Sequence, residues 1–230
     1  MMIELGSDRV TLLPERAVWL TDSRSLLVAD LHLGKAQSFR RAGIPVPAGT
    51  TAATLGRLGT LIERHAPAEL IVLGDFLHGP LAQQGPAIDA LALWRARYPR
   101  LPIRMVRGNH DDAAGDPPKR CGIECLTAPL ARAAFALCHD PDEPADRFKL
   151  AGHVHPVISL RGAIDRARLG CFWLRRDALV LPAFGDFTGG WEVRAKSGER
   201  TFAIADGQVF DVGTLAARPR ARSRWRAGSA

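Results

Sequence analysis

Apolar strands and amphipathic helices alternate through the first half of the chain, and this order limits the fold more than any other feature. Continuous apolar runs at 26–29 and 70–73, and a run at 103–106 interrupted by Arg104, predict buried strands. Between them, leucines and isoleucines at helical spacing predict helices over 48–65 and 86–98. Because strands that alternate with helices pair in parallel, we expect an α/β sheet.

The second half of the chain has a different pattern. Its apolar runs are short, and turn pairs such as Arg176-Asp177 and Ser197-Gly198 separate them. This spacing predicts hairpins and a second, more antiparallel sheet. The runs lie around 133–137, 149–151, 157–160, 171–174, 178–181 and 201–204. Since the sequence contains no linker-like segment, we predict a single domain over 1–213, with two stacked sheets and outer helices.

The net charge of +7 is concentrated at one end of the chain. The last 17 residues, 214–230, contain five arginines and no acidic residue, whereas the other 213 residues carry 26 basic and 24 acidic side chains. A segment that alternates arginine with Pro, Ala and Ser cannot bury enough surface to fold alone, so we expect a basic, disordered tail. This tail is either solvated or in contact with phosphate backbones.

Composition also bears on the cellular compartment. No apolar stretch approaches the length of a membrane span, and the first residues lack the basic start and apolar run of a signal peptide. The four cysteines form no CxxC pair and are expected to be reduced thiols. We therefore expect a cytoplasmic protein with no membrane partner, and the sequence makes no prediction of oligomeric state.

The strongest functional signal is a series of short segments with carboxylate, amide and imidazole side chains. In chain order they are Asp30-Leu31-His32, Gly74-Asp75, Gly108-Asn109-His110-Asp111 and Gly152-His153-Val154-His155, with His139 as a further candidate. The first three follow predicted buried strands, and ligands in open α/β sheets sit beyond the carboxyl ends of strands. A ligand set without thiolates suits Mn²⁺, Fe or Zn²⁺ better than a structural cysteine-zinc site.

These residue types suggest roles. Asp75 follows a glycine, where the backbone turns sharply, and its carboxylate can bridge two cations. Two such ions can clamp a phosphate, which predicts a two-metal hydrolytic site. His110 could protonate the leaving oxygen or stabilise charge on the phosphoryl group, with Asp111 orienting it. Each segment alone is an ordinary turn sequence, and the ordered combination carries the prediction.

The motifs resemble those of the calcineurin-like metallophosphoesterase superfamily, D-x-H, G-D, G-N-H-[DE], H and G-H-x-H, over roughly residues 25–160. The resemblance implies a four-layer α/β/β/α sandwich of two mixed sheets flanked by helices, with His110 as the catalytic histidine. It implies one metal held by Asp30, His32, Asp75 and His155, and a second held by Asp75, Asn109, His139 and His153. Many members have glycine where this chain has Cys138, so His139 is alternatively a histidine at a strand end.

Within the superfamily, three segments are similar to the ligase-associated DNA damage response endonucleases (PdeM-like). They are the opening at 30–35, the segment at 39–47 and Gly74-Asp75-Phe76-Leu77-His78. This resemblance implies a bacterial, metal-dependent phosphodiesterase that acts on DNA. It also implies two protein partners, an ATP-dependent DNA ligase and a helicase. We expect two divalent metal ions, with Mn²⁺ placed before Fe or Zn²⁺, although the ligand set itself does not choose among the three.

Further residues are candidates for substrate binding. They are Lys35, Arg40, Arg41 and His78. The three basic side chains could hold a nucleic-acid phosphate near the metals or belong to a solvated loop, and His78 could line the cleft or be an ordinary loop histidine. Phe39 could stack on a base or anchor its loop. The loop at 182–187 resembles one near the site in the family, and Asp186 and Phe187 receive no role.

Two alternatives to a DNA phosphodiesterase stay open. The same chemistry could act on small nucleotides or other small phosphoesters. A metal-free scaffold on this fold is the second alternative, and lost ligands would announce it, whereas every ligand of the pattern is present.

Overall fold

The computed structural model describes residues 1–6, 8–161 and 166–213, so the predicted basic tail at 214–230 lies outside the described residues. Within these ranges the strands are β1 (Met2–Leu5), β2 (Asp8–Leu13), β3 (Ala17–Leu20), β4 (Ser25–Val28), β5 (Glu69–Leu73), β6 (Ile103–Val106), β7 (Glu124–Leu126), β8 (Leu130–Arg132), β9 (Phe135–Leu137), β10 (Phe148–Ala151), β11 (Pro156–Arg161), β12 (Arg166–Leu174), β13 (Ala178–Val180), β14 (Trp191–Glu192), β15 (Arg200–Ala205) and β16 (Gln208–Gly213). The α-helices are α1 (Lys35–Arg41), α2 (Thr50–His65), α3 (Pro86–Ala96) and α4 (Asn109–Ala114), and short 3₁₀ helices span Pro80–Gln83 and Lys119–Cys121.

The first sheet contains, among the described residues, seven strands in the order β1-β2-β3-β4-β5-β6-β7. Strands β4, β5 and β6 pair in parallel, as the alternation of strands and helices predicted, and β7, which was not predicted, extends this parallel set. Strands β1, β2 and β3, which were not predicted, pair antiparallel with one another, and β3 pairs antiparallel with β4. The sequence pattern that indicates these N-terminal strands is weak but present. Buried Ile3 and Leu5 alternate with exposed neighbours before a turn at Gly6.

Strands β4 and β5 are apolar along most of their length because both faces of the sheet are covered. Leu26 and Val28 pack into a core with the helices, whereas Leu27 and Ala29 pack into a second core between the sheets. The next strand repeats this division, with Leu70 and Val72 in the first core and Ile71 and Leu73 in the second. Because the side chains of these strands pack into the two cores, functional side chains are found in the loops that follow the strands.

The second sheet contains, in the described part of the chain, nine strands in the order β14-β11-β12-β13-β10-β9-β8, with β15 on β12 and β16 on β15. It is mixed, because β9, β10 and β13 pair in parallel while β12 pairs antiparallel with β11, β13 and β15. The predicted fold class, two mixed sheets with helices, is confirmed.

The helices are not shared equally between the sheets. All four α-helices of the described ranges precede Gly115, and α2 and α3 pack on the first sheet. The outer face of the second sheet carries a small apolar cluster of Ile158, Cys171, Val193 and Ala203 rather than a described α-helix. The connections after β7 are too short for a helical crossover, which takes a dozen or more residues.

None of the described helices combines the length and apolar composition needed to span a bilayer.

Candidate metal centre

The carboxyl edge of the first sheet brings the first ligand loops together. The loops that follow β4 and β5 stay hydrogen-bonded to each other beyond the ends of the strands. The N–H of Asp30 donates to the carbonyl of Gly74 at 3.2 Å. The N–H of His32 likewise donates to the carbonyl of Asp75 at 2.8 Å. This continued pairing sets Asp30, His32 and Asp75 side by side, and all three are buried.

The second sheet supplies the remaining histidines at the same place. His139 directly follows Cys138 at the end of β9, and His153 and His155 lie between β10 and β11. The N–H of Gly152 donates to the carbonyl of His139 at 3.0 Å, which holds these two loops together. Edges of both sheets therefore meet at one centre.

A first cluster consists of Asp30, His32, Asp75 and His155, whose potential ligand atoms lie within 4.8 Å of one another. Nε2 of His32 is 3.2 Å from Nε2 of His155 and 3.6 Å from Oδ2 of Asp75. Nε2 of His155 is 3.4 Å from Oδ1 of Asp30. This is the set that the family resemblance implies for one of the two metals.

A second cluster forms around Nε2 of His139. That atom lies 3.0 Å from Oδ1 of Asn109, 3.0 Å from Nδ1 of His153 and 3.4 Å from Oδ1 of Asp75. Asn109 and His153 are exposed, so this cluster opens to solvent while the first is mostly buried. Asp75 belongs to both clusters, and its two carboxylate oxygens face different ones.

Backbone carbonyls fix which ring nitrogen of two histidines faces the centre. Nδ1 of His139 donates to the carbonyl of Leu73 at 3.0 Å, and Nδ1 of His155 donates to the carbonyl of Thr188 at 3.2 Å. In a neutral imidazole the other nitrogen then carries a lone pair. Metal-binding histidines are typically oriented in this way by a partner on the second nitrogen.

The donor atoms fit divalent cations. Burial, followed by the nearby charges of His155 and Lys35, lowers the pKa of His32 to about 2, so this ring stays neutral and keeps a lone pair. Imidazole nitrogens and carboxylate oxygens thus face each other with lone pairs, an arrangement that a cation between them stabilises. Ligands at neighbouring positions of one ion, each bound at about 2.1 Å, lie about 3 Å apart, close to the spacings here.

The backbone at these positions is strained. Asp30, His32, Asp75, His153 and His155 all have positive φ, at 55°, 46°, 51°, 70° and 50°. Residues other than glycine adopt this region at a cost of roughly 1–3 kcal/mol each, and such residues cluster at functional sites. The fold therefore aims five of the predicted ligands at the centre at the expense of its own stability.

Close packing explains the glycines that precede two ligands. Gly74 has φ of 75°, and a Cβ there would overlap the imidazole of His139. A Cβ on Gly108 would come within 2.5 Å of Oδ1 of Asp75. The Gly-Asp and Gly-Asn pairs of the sequence are thus a condition for bringing the loops into contact.

His110 lies beside the clusters with its ring held by a backbone carbonyl. Its Nδ1 donates to the carbonyl of His78 at 3.3 Å, and its Nε2 is 3.9 Å from Oδ2 of Asp75. Its ring stacks on that of His78, with centroids 5.3 Å apart. Burial, followed by the charges of Lys35 and His110, lowers the pKa of His78 to about 4.

The expectation that Asp111 orients the His110 ring needs correction. Its Oδ1 accepts the N–H groups of Phe76 at 3.0 Å and Leu77 at 3.3 Å, and its Oδ2 accepts that of Gly108 at 3.0 Å. In the described structure the carbonyl of His78 takes the orienting role instead. Asp111 acts on the backbone, because its buried carboxylate ties the loop after β5 to the loop after β6.

Comparison with known proteins identifies the family. The profile of the calcineurin-like phosphoesterases matches residues 23–217. The chain belongs to the calcineurin-like phosphoesterase family. No match was found among curated protein sequences.

Among solved structures, this phosphoesterase is similar to the Pseudomonas putida nuclease MPE, with 40% sequence identity and a TM-score of 0.82. The match covers 92% of this chain and 99% of that one. The E. coli phosphoesterase Yfce matches 83% of this chain and 98% of its own, at 14% identity and a TM-score of 0.43, a likeness too weak to support an inference. The family and the His/Asp cluster support a metal-dependent hydrolase.

The predicted substrate-binding residues of this phosphoesterase divide into two groups. Lys35 lies at the centre, where its Nζ is 3.4 Å from the carbonyl of Thr188, and His78 stacks on His110. Arg40 and Arg41 lie at the other end of α1, both exposed, and Arg40 donates to the carbonyl of Pro47. Phosphate binding by these residues remains a prediction.

Sequence reasoning gave no role to the loop between β13 and β14. Its Thr188 contributes only a backbone carbonyl to His155 and Lys35, and a carbonyl has no sequence signature. Arg57 of α2 anchors the loop, because it donates to the carbonyl of Phe184 and pairs with Asp186 at 3.3 Å. The resemblance of 182–187 to a family loop was the available signal.

Proposed function

We propose that this phosphoesterase hydrolyses phosphodiester bonds in DNA with the help of two divalent cations. Mn²⁺ is the cation we place first, and Fe or Zn²⁺ are the alternatives. The observation that carries the proposal is the position of Asp75, whose two carboxylate oxygens face two separate clusters of donor atoms. The likeness to a nuclease at 40% identity supports nucleic acid as substrate.

The residues that would hold the cations follow from the clusters. Asp30, His32, Asp75 and His155 would hold one cation, and Asp75, Asn109, His139 and His153 the other. When bound, divalent cations supply charge that draws electrons from the phosphoryl oxygens and lowers the pKa of water. The buried first cluster excludes water from one side, while exposed Asn109 and His153 leave the second side open to a phosphate.

His110 is placed to handle the proton of the leaving group. Because its Nδ1–H is engaged by the carbonyl of His78, its Nε2 is the nitrogen that faces the centre. Its side chain is 39% exposed, so a substrate oxygen can reach it. A proton on Nε2 can pass to the departing alkoxide, a general-acid step that typically contributes about 10²–10⁴ in rate.

Lys35 is the second group placed to act on the phosphate. It carries a positive charge next to both ligand loops and is turned toward the centre by the carbonyl of Thr188. Burial lowers its pKa, and the carboxylates of Asp75 and Asp30 oppose this and favour the charged form. A charged amine there would position a non-bridging phosphate oxygen.

A role in ligase-dependent DNA repair, with an ATP-dependent ligase and a helicase as partners in the cytoplasm, is part of the proposal. It rests on the sequence segments shared with the ligase-associated endonucleases. Copurification of the ligase with the tagged full chain would support the partnership.

The test is an activity screen with one metal at a time on single-stranded DNA, cyclic nucleotides, phosphomonoesters and bis-p-nitrophenyl phosphate. We expect Mn²⁺-dependent cleavage of DNA and of bis-p-nitrophenyl phosphate. Asp75→Asn should abolish both, since it weakens ligation in both clusters at once. Asp211→Asn, which changes an exposed carboxylate on β16, is the matched control and should retain activity.

Two results would overturn the proposal. Turnover restricted to phosphomonoesters or cyclic nucleotides would favour the small-substrate alternative. Absence of any bindable transition metal in elemental analysis of the folded protein would favour the scaffold alternative.

A further inference from the structure

Two exposed aromatic residues lie close in the chain to groups of the candidate metal centre, Phe187 on the loop between β13 and β14 and Trp191 at the start of β14. Phe187 precedes Thr188, whose carbonyl accepts hydrogen bonds from His155 and Lys35. Trp191 begins β14, and its N–H donates to the carbonyl of His155 at 3.0 Å. Both aromatic residues are thus within three positions of Thr188, the residue whose carbonyl is hydrogen-bonded to the side chains of the centre.

The loop that carries these aromatics is firmly anchored. The N–H of Phe184 donates to the carbonyl of Ala29 at 2.8 Å, and that of Gly185 donates to the carbonyl of Asp30 at 3.1 Å. Arg57 pairs with Asp186 and lies over the ring of Phe184, 4.6 Å from its centroid. The exposed aromatics are therefore held in place relative to the ligand loops rather than carried by a loose segment.

Holding them there is costly for the folded protein. Trp191 is 71% exposed and Phe187 is 48% exposed, so large apolar surfaces remain in water. Phe187 also has φ of 60°, which is strained for a bulky side chain. Neither residue belongs to an apolar cluster of the described chain. Strain and exposure together at one edge of a site point to a ligand.

Phe39, the aromatic residue that follows the first ligand loop, is already engaged. The ring of Phe39 is half-buried, packs edge-on against His78 with centroids 6.3 Å apart, and lies 5.8 Å from Nζ of Lys35. The ring of Phe39 therefore has neighbours of its own, whereas Phe187 and Trp191 stay largely in solvent. Next to Trp191 in the chain, the carbonyl of Gly190 accepts a hydrogen bond from Arg168, which places a cation beside the exposed aromatics.

We infer that Phe187 and Trp191 form a nucleobase-binding subsite, which takes an unpaired base of the same strand whose phosphate lies at the metal centre. This inference rests on the proposed function and names the part of the substrate that the loop recognises. Base stacking on an aromatic side chain is tolerant of sequence and needs a free base face, which a paired base inside a duplex does not offer.

The test measures binding apart from catalysis. A labelled single-stranded oligonucleotide and an abasic strand of equal length are titrated in EDTA, with fluorescence anisotropy as readout. We expect Phe187→Ala and Trp191→Ala each to weaken binding of the normal strand about tenfold and to leave the abasic strand unchanged, because each variant loses a ring on which only a base can stack. Phe210→Ala, which removes a comparably exposed ring on β16, is the matched control.

Trp191→Phe separates stacking from folding. It should keep most of the affinity, because phenylalanine also stacks, and should lose the quenching of tryptophan fluorescence that bases cause in the wild-type protein. Equal affinity of wild type and both alanine variants for the normal strand would overturn the inference. So would an equal loss on normal and abasic strands.

Failure of the inference differs from failure of the proposed function. If wild type and variants cleave and bind DNA alike, the subsite is wrong and the phosphodiesterase stands. If the wild type cleaves neither DNA nor bis-p-nitrophenyl phosphate with any metal, the proposed function fails. If, in addition, the alanine variants bind the normal strand as tightly as the wild type does, the subsite is wrong as well.

Discussion

The backbone N–H of His153 donates to both carboxylate oxygens of Asp30, at 3.1 and 3.0 Å. The two residues belong to loops of different sheets and are 123 positions apart in the chain. Asp30 is fully buried, so this contact exists only when the sheets are packed together. The geometry of the centre is therefore a property of the whole sandwich rather than of any single loop.

His110→Ala should lower kcat on DNA by about 10²–10⁴ while metal content stays unchanged. The metal ligands should stay in place, because the backbone N–H of residue 110, which donates to Oδ1 of Asp75 at 3.0 Å, is kept in the variant. The loss should be smaller on bis-p-nitrophenyl phosphate, since p-nitrophenolate leaves without a proton. Equal losses on both substrates would contradict a general-acid role, and His65→Ala, at the far end of α2, is the control.

Asp111→Asn should destabilise the protein by about 1–3 kcal/mol, because an amide nitrogen would face the N–H of Gly108 in a buried position. Asp111→Ala should cost more, since it also frees the N–H groups of Phe76 and Leu77. Urea unfolding measures both. Asp112→Asn, an exposed neighbour, should be neutral, and an Asp111→Ala protein as stable as wild type would refute the bracing role.

Glu69 should make stability depend on acid pH. Burial raises the pKa of its carboxyl, but the hydroxyl of Ser25 at 2.6 Å and the guanidinium groups of Arg132 and Arg104 outweigh this and lower it. A lowered pKa means that the stabilisation is present above the unfolded value of about 4.3 and is lost as the pH falls below it.

Glu69→Gln should therefore cost about 1–3 kcal/mol at pH 7, and its difference from wild type should shrink between about pH 5 and pH 3. Thermal unfolding across this range gives the measurement. Glu124→Gln, which removes an exposed partner of Arg104, should show a smaller and flatter effect. If the difference in unfolding free energy between Glu69→Gln and wild type grew toward low pH, the lowered pKa of Glu69 would be contradicted.

Gly74→Ala should destabilise the protein by several kcal/mol and lower metal affinity, because its Cβ overlaps His139 and its φ is positive. Gly56→Ala is the matched control. It lies within α2, where an added methyl group would meet open space, and should stabilise the helix by about 0.5–1 kcal/mol. If both variants shifted the melting temperature upward, the close-approach argument would be wrong.

Sequence reasoning predicted the parts of the fold that depend on local pattern. The strand expected at 103–106 has the bounds of β6, and the helix expected at 48–65 begins two residues later, at Thr50. The N-terminal strands were missed because four to six residues of alternation carry little signal. The second sheet is more mixed than hairpin spacing suggested, because the consecutive strands β9 and β10 pair in parallel, and a local apolar pattern does not encode strand direction.

The candidate site shows the same division. Side chains with ligand chemistry could be named from the sequence, and the structure brings them into two clusters. What orients them could not be named, because the carbonyls of Leu73, His78 and Thr188 belong to the backbone and every residue has one. The exposure of Trp191 was equally hidden, since an aromatic residue in a strand more often predicts core.

The division of the ligands between the two sheets has a consequence during synthesis. Asp30, His32, Asp75 and Asn109 leave the ribosome before His153 and His155, so a nascent chain lacks part of each cluster until the second sheet has emerged and docked. The proposed metal centre therefore cannot assemble on a partial chain, and proteolytic fragments of either half should be inactive.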